Sequence, residues 1–310
     1  MQKHSDIKFL HNNEIDKQRW DECIDASPHG LIYARSFYLD IICPGWHALS
    51  GANYDWVLPV THKKKWGIAY LYQPPFTQQS GVFAKKDAIV PYQQIIEWLQ
   101  QHYKFWEVSW NYATDRSILN SSLQINSATN FILNLKNPYE SILSNYSNVL
   151  IKNLKRSKGF QHSYKTTEDF NECIDLYRKH YSHRIPHVTP GDYKNFSNIC
   201  LYALKHKMLV CRQALDNKGE CFAAAVLLTD GKRLYNIINV ITEAGRKRQA
   251  NHFLLDAIIR EFSGQELLLD FEGSDVPGVK VFYEHFGANN QPFYRIKFND
   301  LPWTVRLFKK

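Results

Sequence analysis

The stretch INVITEAGRKRQANHFLLDAIIREF, from Ile238 to Phe262, sets the strongest constraint on the fold. An apolar run breaks into a glycine and three basic residues, then resumes with apolar residues at helical spacing. ELLLDF follows directly and reads as a short buried strand. Strand, turn, helix and strand in that order need a crossover connection, so the two strands are expected to lie parallel in one sheet. Upstream, MLVCRQAL and CFAAAVLLTD read as strands joined by the turn Asp216-Asn217-Lys218-Gly219, and another strand begins at Arg233. Downstream come a helix through GVKVFYEHFGA and a last strand at FYRIKF. Asp169–His180 and Tyr193–Lys205 have helical patterns. The second half therefore predicts an antiparallel meander, then strand-helix-strand-helix, in a mixed sheet with helices on both faces.

The first half mixes the same ingredients. Trp20–Ala26, Phe37–Ile42 and Tyr92–Tyr103 read as helices. DWVLPVTH, WGIAYLYQ, FWEVSW and NFILNL read as strands, with Lys63, Lys64 and Lys65 as a charged turn between the first two. QPPFTQQSGVF, with two prolines and a glycine, reads as a structured loop. YESILSNYSNVLIKNLKRSKGF reads as one helix ending in Lys152, Lys155, Arg156 and Lys158, and Gly159 stops it. Cations there complement the helix carboxyl end without any ligand. This segment is the expected boundary: a first domain over 1–137, a basic linking helix over 138–160 and a second domain over 161–310.

Two segments carry candidate chemistry. Gly245 to Asn251 joins a strand end to a helix start, where backbone N–H groups and the helix dipole can hold a phosphate. Gly245 would allow close approach, and Arg246 and Arg248 would add charge more readily than Lys247. The competing reading is a solvated turn. In DFEGSDVPGVKVFYEHFGA, Asp270 and Glu272 lie at the carboxyl end of the parallel strand, where open sheets of this kind bind ligands. If the strand continues, their i,i+2 spacing puts both on one face. At pH 7 their ordinary ionised state suits a base, and a neutral Tyr283 suits a proton donor. Equally, Glu272 could anchor the turn and Tyr283 could wedge its helix against the sheet.

Composition narrows the partners. The chain has 310 residues, a formal charge of +8 and 14% aromatic residues. The charge suits an anionic partner: a phosphorylated cofactor, nucleic acid or an acidic membrane face. Six cysteines without a CxxC pair read as reduced core residues, and the histidines at 180, 183 and 187 do not match a zinc spacing, so no metal is expected. The amino-terminal MQKHSDIKF has no apolar signal stretch, which makes a cytoplasmic location the expectation. No zinc finger, KH glycine loop or aromatic RNA-binding signature is found.

The second half, from its meander to FYEHFGA, resembles GNAT acyltransferases. Tyr283 and Gly287 match the family ending in which a Tyr shortly precedes a Gly, and Arg246 to Asn251 stand where that family wraps the pyrophosphate of coenzyme A. Gln249 and Ala250 fit the latter part of that pattern, but its central glycine is missing. With SPHGLIYARSFYLD, LYQPPFTQQSGVF and VLIKNLKRSKGF, the chain over about 15–300 resembles the FemAB-like proteins. In the last of these, Asn153, Lys155 and Arg156 precede the second domain. The resemblance implies two tandem GNAT-like domains, each a mixed, mostly antiparallel sheet flanked by helices.

It further implies acyl or aminoacyl transfer to an amine or hydroxyl, in cell-envelope or lipid metabolism. The donor would be acyl-CoA or aminoacyl-tRNA. Tyr283, Glu272 and Asp270 would be the catalytic candidates. Gly245, Arg246, Arg248, Gln249, Ala250 and Asn251 would hold the donor, and Tyr72, Gln73, Phe76, Gln78 and Gln79 would shape the acceptor side. The resemblance leaves open tRNA as a partner, peripheral membrane contact, and a non-catalytic protein that binds an anionic ligand or nucleic acid.

Overall fold

The computed structural model describes residues 7–273 and 275–303. Two compact units divide the chain: Thr129–Gln291 forms one, and everything before it joins with the residues after it to form the other. The break thus falls at Ala128, ahead of the helical segment where the sequence suggested it. The carboxyl-terminal strand returns to the first unit instead of finishing the second.

In chain order the first unit contains β1 (Lys8–Leu10), α1 (Lys17–Ala26), α2 (Ser36–Ile42), β2 (His47–Ser50), β3 (Trp56–Val60), β4 (His62–Lys65), β5 (Ile68–Tyr72), β6 (Phe83–Ala84), α3 (Tyr92–His102), β7 (Phe105–Trp110) and β8 (Gln124–Ala128). The second contains β9 (Phe131–Asn134), α4 (Tyr139–Leu143), α5 (Asn148–Lys158), β10 (Ser163–Thr167), α6 (Phe170–Tyr181), α7 (Pro190–Lys205), β11 (Leu209–Leu215), β12 (Cys221–Thr229), β13 (Arg233–Ile241), α8 (Glu243–Lys247), α9 (Ala250–Phe262), β14 (Leu268–Asp270), α10 (Pro277–Glu284) and β15 (Asn289–Asn290). The chain then adds β16 (Phe293–Asn299) to the first unit.

The second unit is built on a seven-stranded sheet in the order β10-β11-β12-β13-β14-β9-β15. The first has a five-stranded sheet, β4-β5-β7-β16-β8, and a four-stranded one, β1-β2-β3-β6. The expected mixed, mostly antiparallel sheets flanked by helices are what the chain forms. Each large sheet holds one parallel pair, β13 with β14 and β5 with β7, and each pair is bridged by a crossover that includes a helix, as parallel pairing demands. The repeated plan identifies two versions of one architecture.

Periodicity explains the packing. On α9, Leu254, Leu255, Ile258 and Ile259 make one apolar stripe, fully buried against β12, β14 and α5 neighbours such as Phe222, Leu269 and Leu150. Burying each such side chain is worth about 1.5–3 kcal/mol, enough to hold the crossover helix on the sheet. In α3, Ile95, Ile96 and Leu99 play the same part against Trp106 and Val108.

Three local expectations are corrected. The lysines at 63–65 are not a turn but β4 itself, paired with β5, and the turn is Trp66-Gly67. The single helix expected between Tyr139 and Gly159 is two, because Ser147 caps a new start by accepting from Leu150 N. The strand expected at DF ends at Asp270. The six cysteines are free. No helix among the described residues is long and apolar enough to cross a membrane.

Ile296 lies fully buried on β16, between β7 and β8. Ile296→Ala is expected to destabilise the first unit by about 2–5 kcal/mol, read by urea unfolding, although the residue follows the second unit in sequence.

Candidate functional site

The site begins where two parallel strands part. β13 and β14 pair over only three positions, Arg233 with Leu268, Leu234 with Leu269 and Tyr235 with Asp270. β13 then runs on to Ile241 while β14 stops. A register shift against β12 adds one extra residue to β13 between Tyr235 and Ile238, where Asn236 lies. A bulge increases local twist and re-aims side chains, which suits the mouth of a site.

Asp270 closes the paired end. It forms an ion pair with Arg233 at 2.6 Å, with side chains only 1% and 6% exposed. Asn130 Nδ2 donates to the same carboxylate at 3.2 Å, and Glu272 N donates to its other oxygen at 2.9 Å. Arg233 also donates to Gln291 Oε1. Those contacts hold the Asp270 carboxylate in an internal latch, which corrects its reading as a base.

Glu272 differs in every respect. Its backbone is left-handed, with φ 57°, so the strand has ended and the expected i,i+2 face with Asp270 does not exist. Gly273 fixes the turn: a Cβ there would sit 2.2 Å from Thr129 O, and its N–H donates to Asn130 Oδ1. Thus held, Glu272 presents a buried Oε1 with no hydrogen-bond partner. Burial pushes its carboxyl up to about 8. It does not have the ordinary ionisation that the sequence suggested.

Tyr283, on α10, stacks on Phe271 with ring centroids 4.7 Å apart and is 7% exposed. Burial raises its phenol well above the usual tyrosine range, followed by the field of Glu272 and then of Tyr181 and Tyr177 on α6. The structure therefore brings Glu272 and Tyr283 into electrostatic contact beside the α6 tyrosines. Farther along β13, Asn251 Nδ2 donates to Asn239 Oδ1 at 2.8 Å. Asn251 Oδ1, Asn239 Nδ2 and both amide atoms of Asn236 are buried without partners. Unsatisfied buried amides are costly, and at the mouth of a parted sheet they are the groups a ligand would satisfy. Neither Asn236 nor Asn239 is among the site residues expected from the sequence. Two asparagines inside the apolar strand RLYNIINVI were the available signal.

The basic loop differs most from expectation. Residues 243–247 form α8, capped by Thr242 Oγ1, which accepts from Gly245 N. A Cβ on Gly245 would lie 2.4 Å from Phe222 O, so the glycine serves approach to its own β12 and not to a ligand. Ala250 is wholly buried in the core. Arg248 stands 3.8 Å from Asp216 and covers the Phe222 ring, while its carbonyl meets His162. Arg246 is exposed, Lys247 pairs with Glu243, and Gln249 turns the chain into α9 with φ 58°. Of the six expected donor-binding residues, Gly245, Ala250 and Arg248 are thus engaged within the fold, leaving Arg246, Gln249 and Asn251 as the candidates.

Nearby on α5, Val149, Lys152, Asn153, Lys155 and Arg156 line an open depression of about 410 Å3. Asn153 is joined to His252 of α9. Burial, followed by the charge of His285, lowers His252 to about 4, which keeps it neutral. Among the described residues no group of three or more His, Cys, Asp or Glu could hold a metal ion.

In the first unit, the predicted acceptor residues brace a loop. Gln73 accepts from Ser109 N and donates to Thr77 O; Gln79, fully buried, accepts from Tyr112 N and donates to Gln78. Phe76 has a left-handed backbone, and its carbonyl accepts from Tyr38. Tyr72 lies under the Lys63 ammonium at 4.1 Å.

Two mixed, mostly antiparallel sheets flanked by helices, one in each unit and each with one parallel pair, are consistent with tandem GNAT-like domains. A family model described as an acetyltransferase (GNAT) domain matches residues 148–276. The whole chain is similar in fold to FemX, at 11% identity and a TM-score of 0.62 over 97% of this chain and 99% of that one. It is similar also to L-PGS from Bacillus licheniformis (9%, 0.54, 94% and 95%) and to a GCN5-related N-acetyltransferase from Sphaerobacter thermophilus (10%, 0.52, 93% and 94%). No curated protein sequence matches the chain.

Two outcomes follow. Asp270→Asn leaves Arg233 buried without its counter-charge and should cost about 3–5 kcal/mol in thermal or urea unfolding. Glu272 holds its proton more tightly folded than unfolded, so its contribution to stability is complete below pH 4.5 and is lost as pH rises through about 8. Glu272→Gln should remove that part of the pH dependence and raise stability at alkaline pH, measured by melting temperature against pH.

Proposed function

We propose that the second unit is an acyltransferase that moves an acyl or aminoacyl group from an activated donor to an amine or hydroxyl. One observation carries the reading: a buried Glu272 Oε1 without a hydrogen-bond partner, just past the end of β14 and within electrostatic reach of the Tyr283 phenol. Burial pushes the Glu272 carboxyl up to about 8, so most of it is protonated at neutral pH. Its ionised fraction is a stronger base than an ordinary carboxylate and grows as pH rises, while the Tyr283 phenol stays protonated and available as a donor.

In the proposed step, the acceptor nitrogen or oxygen attacks the donor carbonyl carbon and gives its proton to Glu272. The carbon–sulfur bond of a thioester, or the carbon–oxygen bond of an ester, then breaks. Tyr283 protonates the leaving sulfur or oxygen. An unpartnered amide N–H of Asn236 or Asn239 is suited to steady the developing oxyanion.

Two donors fit. Acyl-CoA would be held by Arg246 and the first turn of α9. An aminoacyl-tRNA would be held by Lys152, Lys155 and Arg156. The compact α8 in place of an open glycine loop favours the second. The proposed acceptor is a small molecule or a cell-envelope precursor, and the cytoplasm is the proposed place of reaction.

Calorimetric titration with coenzyme A, acetyl-CoA and a short aminoacylated RNA acceptor stem, on the wild type and on Arg246→Ala and Lys152→Ala/Lys155→Ala variants, separates the donors. Saturable binding lost in only one variant assigns the donor. With that donor, Tyr283→Phe is expected to lower kcat by about 10²–10⁴-fold with little change in donor affinity. Binding without turnover against any amine or hydroxyl acceptor would leave a non-catalytic ligand-binding protein.

A further inference from the structure

The β4–β5 hairpin carries features that neither the fold nor the acyl-transfer site requires. β4 is an edge strand, and lysines on an edge have an ordinary explanation, since charge discourages pairing with other sheets. That accounts for Lys63, Lys64 and Lys65. It does not account for the turn. The connection is two residues long, Trp66 at φ 52° and Gly67 at φ 81°, both left-handed, as a tight hairpin turn requires. Asn or Asp fills the first of these positions at least cost, whereas a bulky aromatic there is an outlier. The residue is nevertheless Trp66, and its side chain is 67% exposed.

Register shows what accompanies it. Lys63 pairs with Tyr70 and Lys65 with Ile68, so these four share one face of the hairpin, and Tyr72 follows two residues on. The Lys63 ammonium lies 4.1 Å above the Tyr72 ring, and that of Lys65 lies 4.7 Å above the indole of Trp66. Ile68, Tyr70 and Tyr72 are half-buried and the lysines exposed. One strip thus combines an indole at its tip, two phenols, an aliphatic side chain and ammonium groups on flexible stems. Lys64 adds a charge from the opposite face.

We infer that this hairpin docks the protein on an anionic lipid surface, with Trp66 entering the headgroup boundary and Lys63, Lys64 and Lys65 meeting the acidic headgroups. Indole and phenol rings prefer the interface, where one edge is apolar and the other wet, and lysine stems reach from that depth back to the charged layer. A nucleic acid is the less suited partner. The strip has no Arg, Asn or Gln to read base edges or clamp phosphates, and its most exposed aromatic caps a turn instead of lying on a platform for stacked bases. The inference does not depend on the acyl-transfer reading.

Co-sedimentation with phosphatidylcholine vesicles, with and without phosphatidylglycerol, tests it. The expected result is binding only to the anionic vesicles, weakened by salt. Lys63→Ala/Lys64→Ala/Lys65→Ala should weaken binding by roughly 100-fold, given the contribution of each lysine near an acidic surface. Trp66→Asn, which suits the turn, should preserve the melting temperature and also weaken binding. Absence of binding to anionic vesicles overturns the proposal, as does binding that neither variant changes. Retention of tRNA at a lower concentration than vesicles, lost in the same variants, would reassign the surface to nucleic acid.

Discussion

The second unit depends on one buried ion pair. Arg233 and Asp270 lie at the first and last positions of the short parallel ladder and are withdrawn from water together. Desolvating both charges is costly, so their value lies less in net stability than in specifying where the strands meet. Asn130 and Gln291 complete the hydrogen bonding, bringing β9 and the segment after β15 into the same knot. Past that knot β13 is free to diverge, and the opening that results is lined by groups the fold itself leaves unsatisfied.

Two carboxylates only two residues apart therefore acquire opposite characters. Asp270 has a cation, an amide and a backbone N–H for company. Glu272, turned away by a left-handed backbone, has none on its inner oxygen. The difference comes from local backbone conformation, and that conformation comes from Gly273, whose missing side chain lets the turn rest on Thr129 and Asn130. Burial then does to Glu272 what it does to any unpaired acid and raises its affinity for a proton. Tyr283 is shifted first by its own burial and then by the field of Glu272.

Much of the architecture was legible in the sequence, because crossover order and apolar periodicity are local properties. The strand-helix-strand reading from Ile238 onward was sound, as was the meander before it. What failed were features set by tertiary contact. Gly245 looked like a place for a ligand, but its neighbour is the Phe222 carbonyl, a strand away. Arg248 looked like a phosphate ligand, but Asp216 of a distant turn claims it. FYRIKF forms the expected strand but in the first unit and not the second, since pairing partners 165 to 194 residues away leave no local trace. Asn236 and Asn239 stand inside an apolar run, and a polar residue there shows its role only through the partners it lacks.

The placement of β16 has a temporal consequence. The second unit is one continuous segment, and every strand of its sheet has been synthesised once Asn290 has left the ribosome. The first unit, begun earlier, lacks the strand between β7 and β8 until β16 emerges. On the ribosome the usual order, amino-terminal domain first, is thereby inverted. The first unit must wait with an open sheet, and the second completes before it.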